Sequence, residues 1–418
     1  LAGENRQDGR VGVRDIVGER VAGARRTLLD RAAEVLHGRR PPEPGEHELA
    51  RGLVVTGTVW AGGDSEPIEG AVVLDERGAV SYLGPTAYLP DVSGLPRLGG
   101  GESWVGPGIT DAHVHLSFAP GDGLAGVLRS GLVAVRDLGA PPPAAAHWRT
   151  GHRRPTGERP VVAVAGPIVT APGGYPSRSW GNGGFASFVY SPANARQVVH
   201  GIAASGVDVV KIALEPGASN WPVPEPRVVR AAVEAAHDAG LAVVAHALSV
   251  EMVRRAVDAG VDELAHTPTE RLSEQLVERI AGAGVSVIST LQTFFSAGVG
   301  RIAAENAADL HAAGVRLRYG TDLGNDGTRP GVDPRELDRL AAAGMGRLGA
   351  LRAATEYSAQ AAGIRHRSGR LIVGSRAALV VLPGNPLDEP GVWRSPSAVV
   401  ADGRLLVNGT PAFDGLTD

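Results

Sequence analysis

Five short apolar runs in this chain each end on side chains able to bind a divalent cation: His113 with His115, then Lys211, His246, His266 and Asp322. The last four runs are Val207-Asp-Val-Val-Lys-Ile, Leu241-Ala-Val-Val-Ala-His, Val261-Asp-Glu-Leu-Ala-His and Arg316-Leu-Arg-Tyr-Gly-Thr-Asp, each opening shortly after a glycine. Coordinating residues at the same end of successive parallel strands converge on one mouth, and metal-assisted hydrolysis is the chemistry that such a mouth can do. Within Pro107-Gly-Ile-Thr-Asp-Ala-His-Val-His-Leu, His113 and His115 stand two apart in a strand and so face one point. Asp111 is in phase with them and is expected to orient one of the imidazoles.

Lys211 decides between one ion and two. It lies in Val209-Val-Lys-Ile-Ala-Leu, a central strand where an ammonium is costly and, beside a cation, repelled. Reaction with carbon dioxide would turn the amine into a carbamate, an anion whose two oxygens can bridge two ions. A salt bridge from Lys211 to Asp208 or Glu215 is the alternative. The chain has no cysteine, so thiolate ligands, disulfides and a cysteine nucleophile are excluded. Nitrogen and oxygen ligands suit zinc first, with Mn, Fe, Co or Ni also fitting.

The elements that must position these groups are marked by glycine. A small residue plus glycine precedes an apolar run at Gly131, Gly206, Gly240, Gly260, Gly284 and Gly314, as expected of a left-handed helix end followed by a buried strand. Amphipathic stretches lie between them, at Pro226 to Asp238, Val250 to Asp258 and Leu272 to Ala283. Strands are expected near 105–116, 132–138, 160–169, 207–214, 241–248, 261–267, 285–291 and 316–323. Eight parallel strands with intervening helices predict an α/β fold, a TIM-type (β/α)8 barrel over 104–369 with its site at the strand C-termini. Residues 51–103 and 370–418 read as short strands and turns, with Asp402-Gly403 a hairpin signal. They are expected to meet in one small flanking β-sandwich domain. Residues 1–50 form an N-terminal extension, helical over 11–38, whose apolar stripe fits packing on the body or on a second subunit, a homo-oligomer.

Composition narrows the partners. At 418 residues, 43% hydrophobic, 21% charged and net charge −4, the chain offers no basic surface that calls for nucleic acid. No apolar run reaches the ~20 residues of a membrane span, and the polar N-terminus does not read as a leader. A cytoplasmic protein acting on a small-molecule substrate is expected. The loop Tyr175-Pro-Ser-Arg178-Ser-Trp180-Gly-Asn-Gly-Gly-Phe concentrates aromatics in a chain that is only 4% aromatic, so Tyr175 and Trp180, with Tyr190 and Trp221, are expected to line the pocket. Arg178 or Arg329 could clamp a substrate carboxylate.

Together, Pro107-Gly-Ile-Thr-Asp-Ala-His-Val-His, Lys211, Ala245-His246, Ala265-His266, Gly320-Thr-Asp322, Ala354-Thr-Glu-Tyr-Ser and Leu379-Val-Val-Leu-Pro-Gly-Asn-Pro resemble the amidohydrolase superfamily, in its imidazolonepropionase-like and prolidase-like branch, over roughly 52–410. The resemblance implies that His113, His115 and Asp322 hold one metal and that His246 and His266 hold a second, with carboxylated Lys211 bridging both. It further implies that Asp322 shuttles the proton and that the substrate is a small amide such as a dipeptide or N-acyl amino acid. Tyr175 stands where many relatives carry a histidine, which implies altered substrate recognition. Arg376-Ala-Ala378-Leu lacks an acidic residue common in the family and reads as structural. A mononuclear cyclic-amide hydrolase or deaminase, a lactone or ester hydrolase, and an inert scaffold are the other readings.

Overall fold

In the computed structural model, the runs that end on the ligands form parallel strands. The structure describes residues 45–408 apart from 50, 120–123, 125, 153–158, 218–219, 365–367 and 377, so the helix expected over 11–38 lies outside the described residues. Strands Ile109–Val114, Leu132–Asp137 and Val161–Val164 make one parallel sheet. Strands Ile168–Thr170, Val210–Ala213, Val243–His246, Glu263–Leu264, Ser286–Ile288 and Leu317–Arg318, with Ala186–Phe188 at one edge, make another. Hydrogen bonds join the two. Asp208 N donates to Val164 O at 2.8 Å on one side, and on the other Ala112 N donates to Tyr319 O at 3.0 Å and His115 N to Leu323 O at 2.7 Å.

The strand expected over 160–169 is interrupted at Gly166-Pro167, because Gly166 takes a positive φ of 67° and proline has no N–H for the ladder. The strand expected over 316–323 ends at Arg318, and the chain then turns through Asp322, whose φ is 55°. Helices Pro192–Ala204, Pro226–Asp238, Val250–Ala259, Glu274–Gly282 and Gly300–Ala312 lie between strands. Pro226–Asp238 buries Val228, Val229, Ala232, Val233 and Ala236 as its spacing predicts. Ser191, Ser249 and Ser273 accept the amides of Asn194, Met252 and Leu276, each N-cap worth about 1 kcal/mol. All six glycines read as helix ends have positive φ, from 71° at Gly284 to 90° at Gly131.

The remaining strands come from both chain ends and hydrogen-bond into one eight-stranded sheet. Arg97–Pro107 lies parallel to Leu53–Val59 on one side and antiparallel to Ala378–Leu382 on the other, and so ties the early strands to the late ones. Gly45–Glu48 pairs with Arg404–Val407, so the sheet begins inside the stretch read as a helical extension. Asp402 and Gly403, both at positive φ, turn the expected hairpin between Ala398–Ala401 and Arg404–Val407. Leu53, Val55, Val59, Val72, Leu74, Leu98, Val105, Leu379 and Val381 fill its core. Among the described residues no helix is long and apolar enough to cross a membrane.

Candidate metal centre

The strand Ile109–Val114 carries His113 at its end, and His115 follows directly. Their Nε2 atoms lie 3.3 Å apart. Asp322 Oδ1 lies 3.3 Å from His113 Nε2 and 3.5 Å from His115 Nε2. Two ligands each ~2.1 Å from one tetrahedral ion are about 3.4 Å apart, so this triangle has the dimensions of one face of a zinc-like site. His113 Nδ1 sits 2.9 Å from the Ala265 carbonyl, which can only accept, so Nδ1 holds the proton and Nε2 keeps the lone pair. Asp322 Oδ1 is buried with no hydrogen-bond partner, as suits an atom reserved for an ion.

His246 ends its strand, and His266 lies two residues beyond Leu264. Ring centroids are 4.6 Å apart for His113 and His266 and 4.8 Å for His246 and His266, so the four imidazoles form one cluster. His266 Nδ1 lies 2.9 Å from the hydroxyl of Thr290, a residue held at a φ of 43°. Burial, then Lys211 and the neighbouring imidazoles, hold His113 well below the usual histidine range. His266 is held there by burial, His246 and Lys211. The rings are therefore neutral and free to ligate.

Lys211 is buried beside this cluster, and burial lowers its pKa, partly offset by Asp322. No carboxylate among the described residues lies at ion-pair distance from it. Both salt-bridge partners considered for it are engaged elsewhere. Asp208 Oδ2 accepts the Val164 amide at 2.8 Å, and Glu215 faces His246. The amine is thus buried with no carboxylate paired to it, although Asp322, Glu263 and Asp137 act on it from further off.

Asp111 does not reach an imidazole ring. It accepts the amides of His113 and Thr321, each at 3.1 Å, and the Thr321 hydroxyl at 2.5 Å, clamping two strand ends together. Phase along the strand put it beside His113, but the Thr321 donors lie closer. Beneath the cluster, Glu263 forms buried ion pairs with Arg136 and, at 2.5 Å, with Arg318. Burial alone would raise Glu263, yet the two guanidiniums outweigh it and hold the carboxylate below its usual range. Sequence reading missed this network; its signal was charge inside apolar strands.

Aromatic side chains wall the mouth. Tyr175 lies 4.9 Å from the His246 ring and Trp180 lies 5.1 Å from that of His115, while Trp180 Nε1 donates to Tyr175 Oη at 2.9 Å. Trp221 stacks on Tyr175 at 6.0 Å. Phe118, 5.2 Å from Trp180, and Phe294, 5.7 Å from His266, join them and were not foreseen. Arg178, Tyr190 and Arg329 are exposed and make no ion pair, hydrogen bond or ring contact with the cluster.

Imidazolonepropionase of Shewanella baltica (strain OS155) is 41% identical over 54 residues, a stretch covering 12% of this chain and only 13% of that protein. Among solved structures, a Xaa-Pro dipeptidase with bound methionine is similar at TM-score 0.75 and 21% identity, over 86% of this chain and all of that one. The ochratoxinase of A. niger is similar at TM-score 0.72 and 19% identity, over 85% and 95% of the two chains. Both likenesses show the fold. The sequence pattern of the Amidohydrolase family matches residues 104–406, well over half of the 418. The chain belongs to the amidohydrolase family and is an enzyme.

Proposed function

We propose that this enzyme is a metal-dependent hydrolase with two divalent cations, zinc foremost, that cleaves the amide C–N bond of a small molecule such as a dipeptide or N-acyl amino acid. The observation that carries the reading is the triangle of His113 Nε2, His115 Nε2 and Asp322 Oδ1, with edges of 3.3 to 3.5 Å. The hydrogen bonds on both sides of the two parallel sheets support one closed (β/α)8 barrel over 104–369. The pairing of Arg97–Pro107 with Ala378–Leu382 supports a small β domain from 51–103 and 370–418.

His113, His115 and Asp322 would hold one ion and His246 and His266 the other, with Lys211 as a carbamate reaching both. Bound there, the pair would supply a water acidic enough to ionise at neutral pH and a polarising charge for the substrate carbonyl. The buried Lys211 amine, in its neutral form, adds carbon dioxide and releases one proton. Asp322 takes the proton of the attacking water and passes it to the leaving nitrogen, as base and then acid. Its backbone, fixed at a φ of 55°, keeps the carboxylate aimed at both imidazoles. Tyr175 Oη already accepts from Trp180, so its own O–H is free to donate to a substrate oxygen. Trp180, Trp221, Phe118 and Phe294 exclude water and pack on the apolar part of the substrate.

Metal analysis with anomalous scattering at the Lys211 side chain tests the centre. Two ions per chain and density for a carbamate are expected, and one ion beside a bare lysine would favour the mononuclear reading. A panel of dipeptides, N-acyl amino acids, cyclic amides and lactones tests the substrate class. Turnover confined to lactones would overturn the amide assignment.

A further inference from the structure

We propose that Glu215 is a positioning residue for His246, accepting a hydrogen bond from Nε2–H so that the ring offers Nδ1 to an ion. The inference rests on the two-ion reading above. Glu215 lies two residues past the strand Val210–Ala213, in phase with Lys211, and so points to the same mouth. Its Oε1 accepts the Gly217 amide at 2.6 Å, which fixes the carboxylate. Its Oε2 lies 3.7 Å from His246 Nε2, and both atoms are buried without a hydrogen-bond partner.

Two such atoms facing each other are costly as they stand, and a rotation that closes the gap by about 1 Å gives a charge-assisted hydrogen bond. The ring then carries its proton on Nε2, leaving Nδ1 as the ligating nitrogen. A carboxylate on the far nitrogen fixes the tautomer and makes the imidazole a stronger donor to metal. The other two imidazoles with a ring partner use neutral ones, the Ala265 carbonyl for His113 and the Thr290 hydroxyl for His266. His246 is thus set apart by an anionic partner, which would strengthen the second ion's hold.

The test is titration of the metal-free protein with Zn²⁺, followed by calorimetry, and with Co²⁺, followed by its visible absorption. Wild type should take two ions. Glu215→Ala should weaken the second about 10- to 100-fold, leave the first unchanged, and alter the Co²⁺ spectrum of the second ion only. Glu215→Gln, whose amide oxygen still accepts from Nε2, should recover part of the loss. Two ions at wild-type affinity in Glu215→Ala would overturn the role of Glu215 alone. A single ion in wild type would overturn the two-ion reading and this inference with it. A metal-loaded crystal structure with Oε2 bonded to the ion would also overturn it, in favour of direct ligation.

Discussion

The two corners of the cluster are held by different means. At the first, His113, His115 and Asp322 sit on or beside strand ends that Asp111 clamps through three hydrogen bonds, and their donor atoms already stand 3.3 to 3.5 Å apart. At the second, His246 and His266 lean on single side chains, Glu215 and Thr290. Three hydrogen bonds into one carboxylate, two of them from backbone amides, set the first geometry firmly. One partner for each ring leaves the second corner more adjustable, and on the proposed two-ion reading it is the corner expected to lose its ion first.

The strongest break in this contrast is Lys211→Ala, which removes the one group proposed to serve both corners. Turnover of the best amide substrate should fall to background, with partial recovery on adding a short carboxylic acid. Unchanged rates would remove the bridge from the mechanism. Asp322→Asn keeps a residue type that tolerates positive φ but removes the base, so kcat should drop about 10² to 10⁴-fold while the fold persists. Full activity would reassign the proton shuttle.

Two further changes probe the second corner from behind. Glu336 accepts the amides of Leu291 at 3.0 Å and Gln292 at 2.6 Å, bracing the turn that carries Thr290. Burial pushes its carboxyl from the usual 4.5 up to about 7. Below pH 4.5 both folded and unfolded chains hold this proton. As pH rises towards 7 the unfolded chain ionises first, so folding loses up to about 3 kcal/mol from this group. Denaturant melts should show that slope shallower in Glu336→Gln than in wild type, and parallel slopes would refute it. Thr290→Val, which keeps the shape but removes the hydroxyl on His266 Nδ1, should weaken only the second ion, about tenfold by calorimetry. An equal loss at both ions would dissolve the contrast.

Much of this was readable in advance because each strand announces itself twice. A glycine opens it, and the ligand is the polar break in an apolar run, inside the strand at Lys211 and at its end at His246. Partnerships remote in sequence were not readable. Asp111 meets Thr321, 210 positions away, and no local periodicity reports that. Glu215 was considered as a partner for Lys211, and only the path of the loop beyond Ala213 turns it to His246. The order in which the flanking strands pair was hidden because pairing order, unlike strand propensity, is set by tertiary approach.

The Arg136–Glu263–Arg318 network has an arithmetic consequence. Two guanidiniums share one carboxylate, so the floor under the cluster keeps one unbalanced positive charge, shut away from solvent. Such a floor repels an ammonium above it and attracts an anion. At Lys211 that repulsion comes from Arg136 alone and is opposed by Asp322, Glu263 and Asp137, so burial, more than the pedestal's charge, is what loosens the proton on this amine.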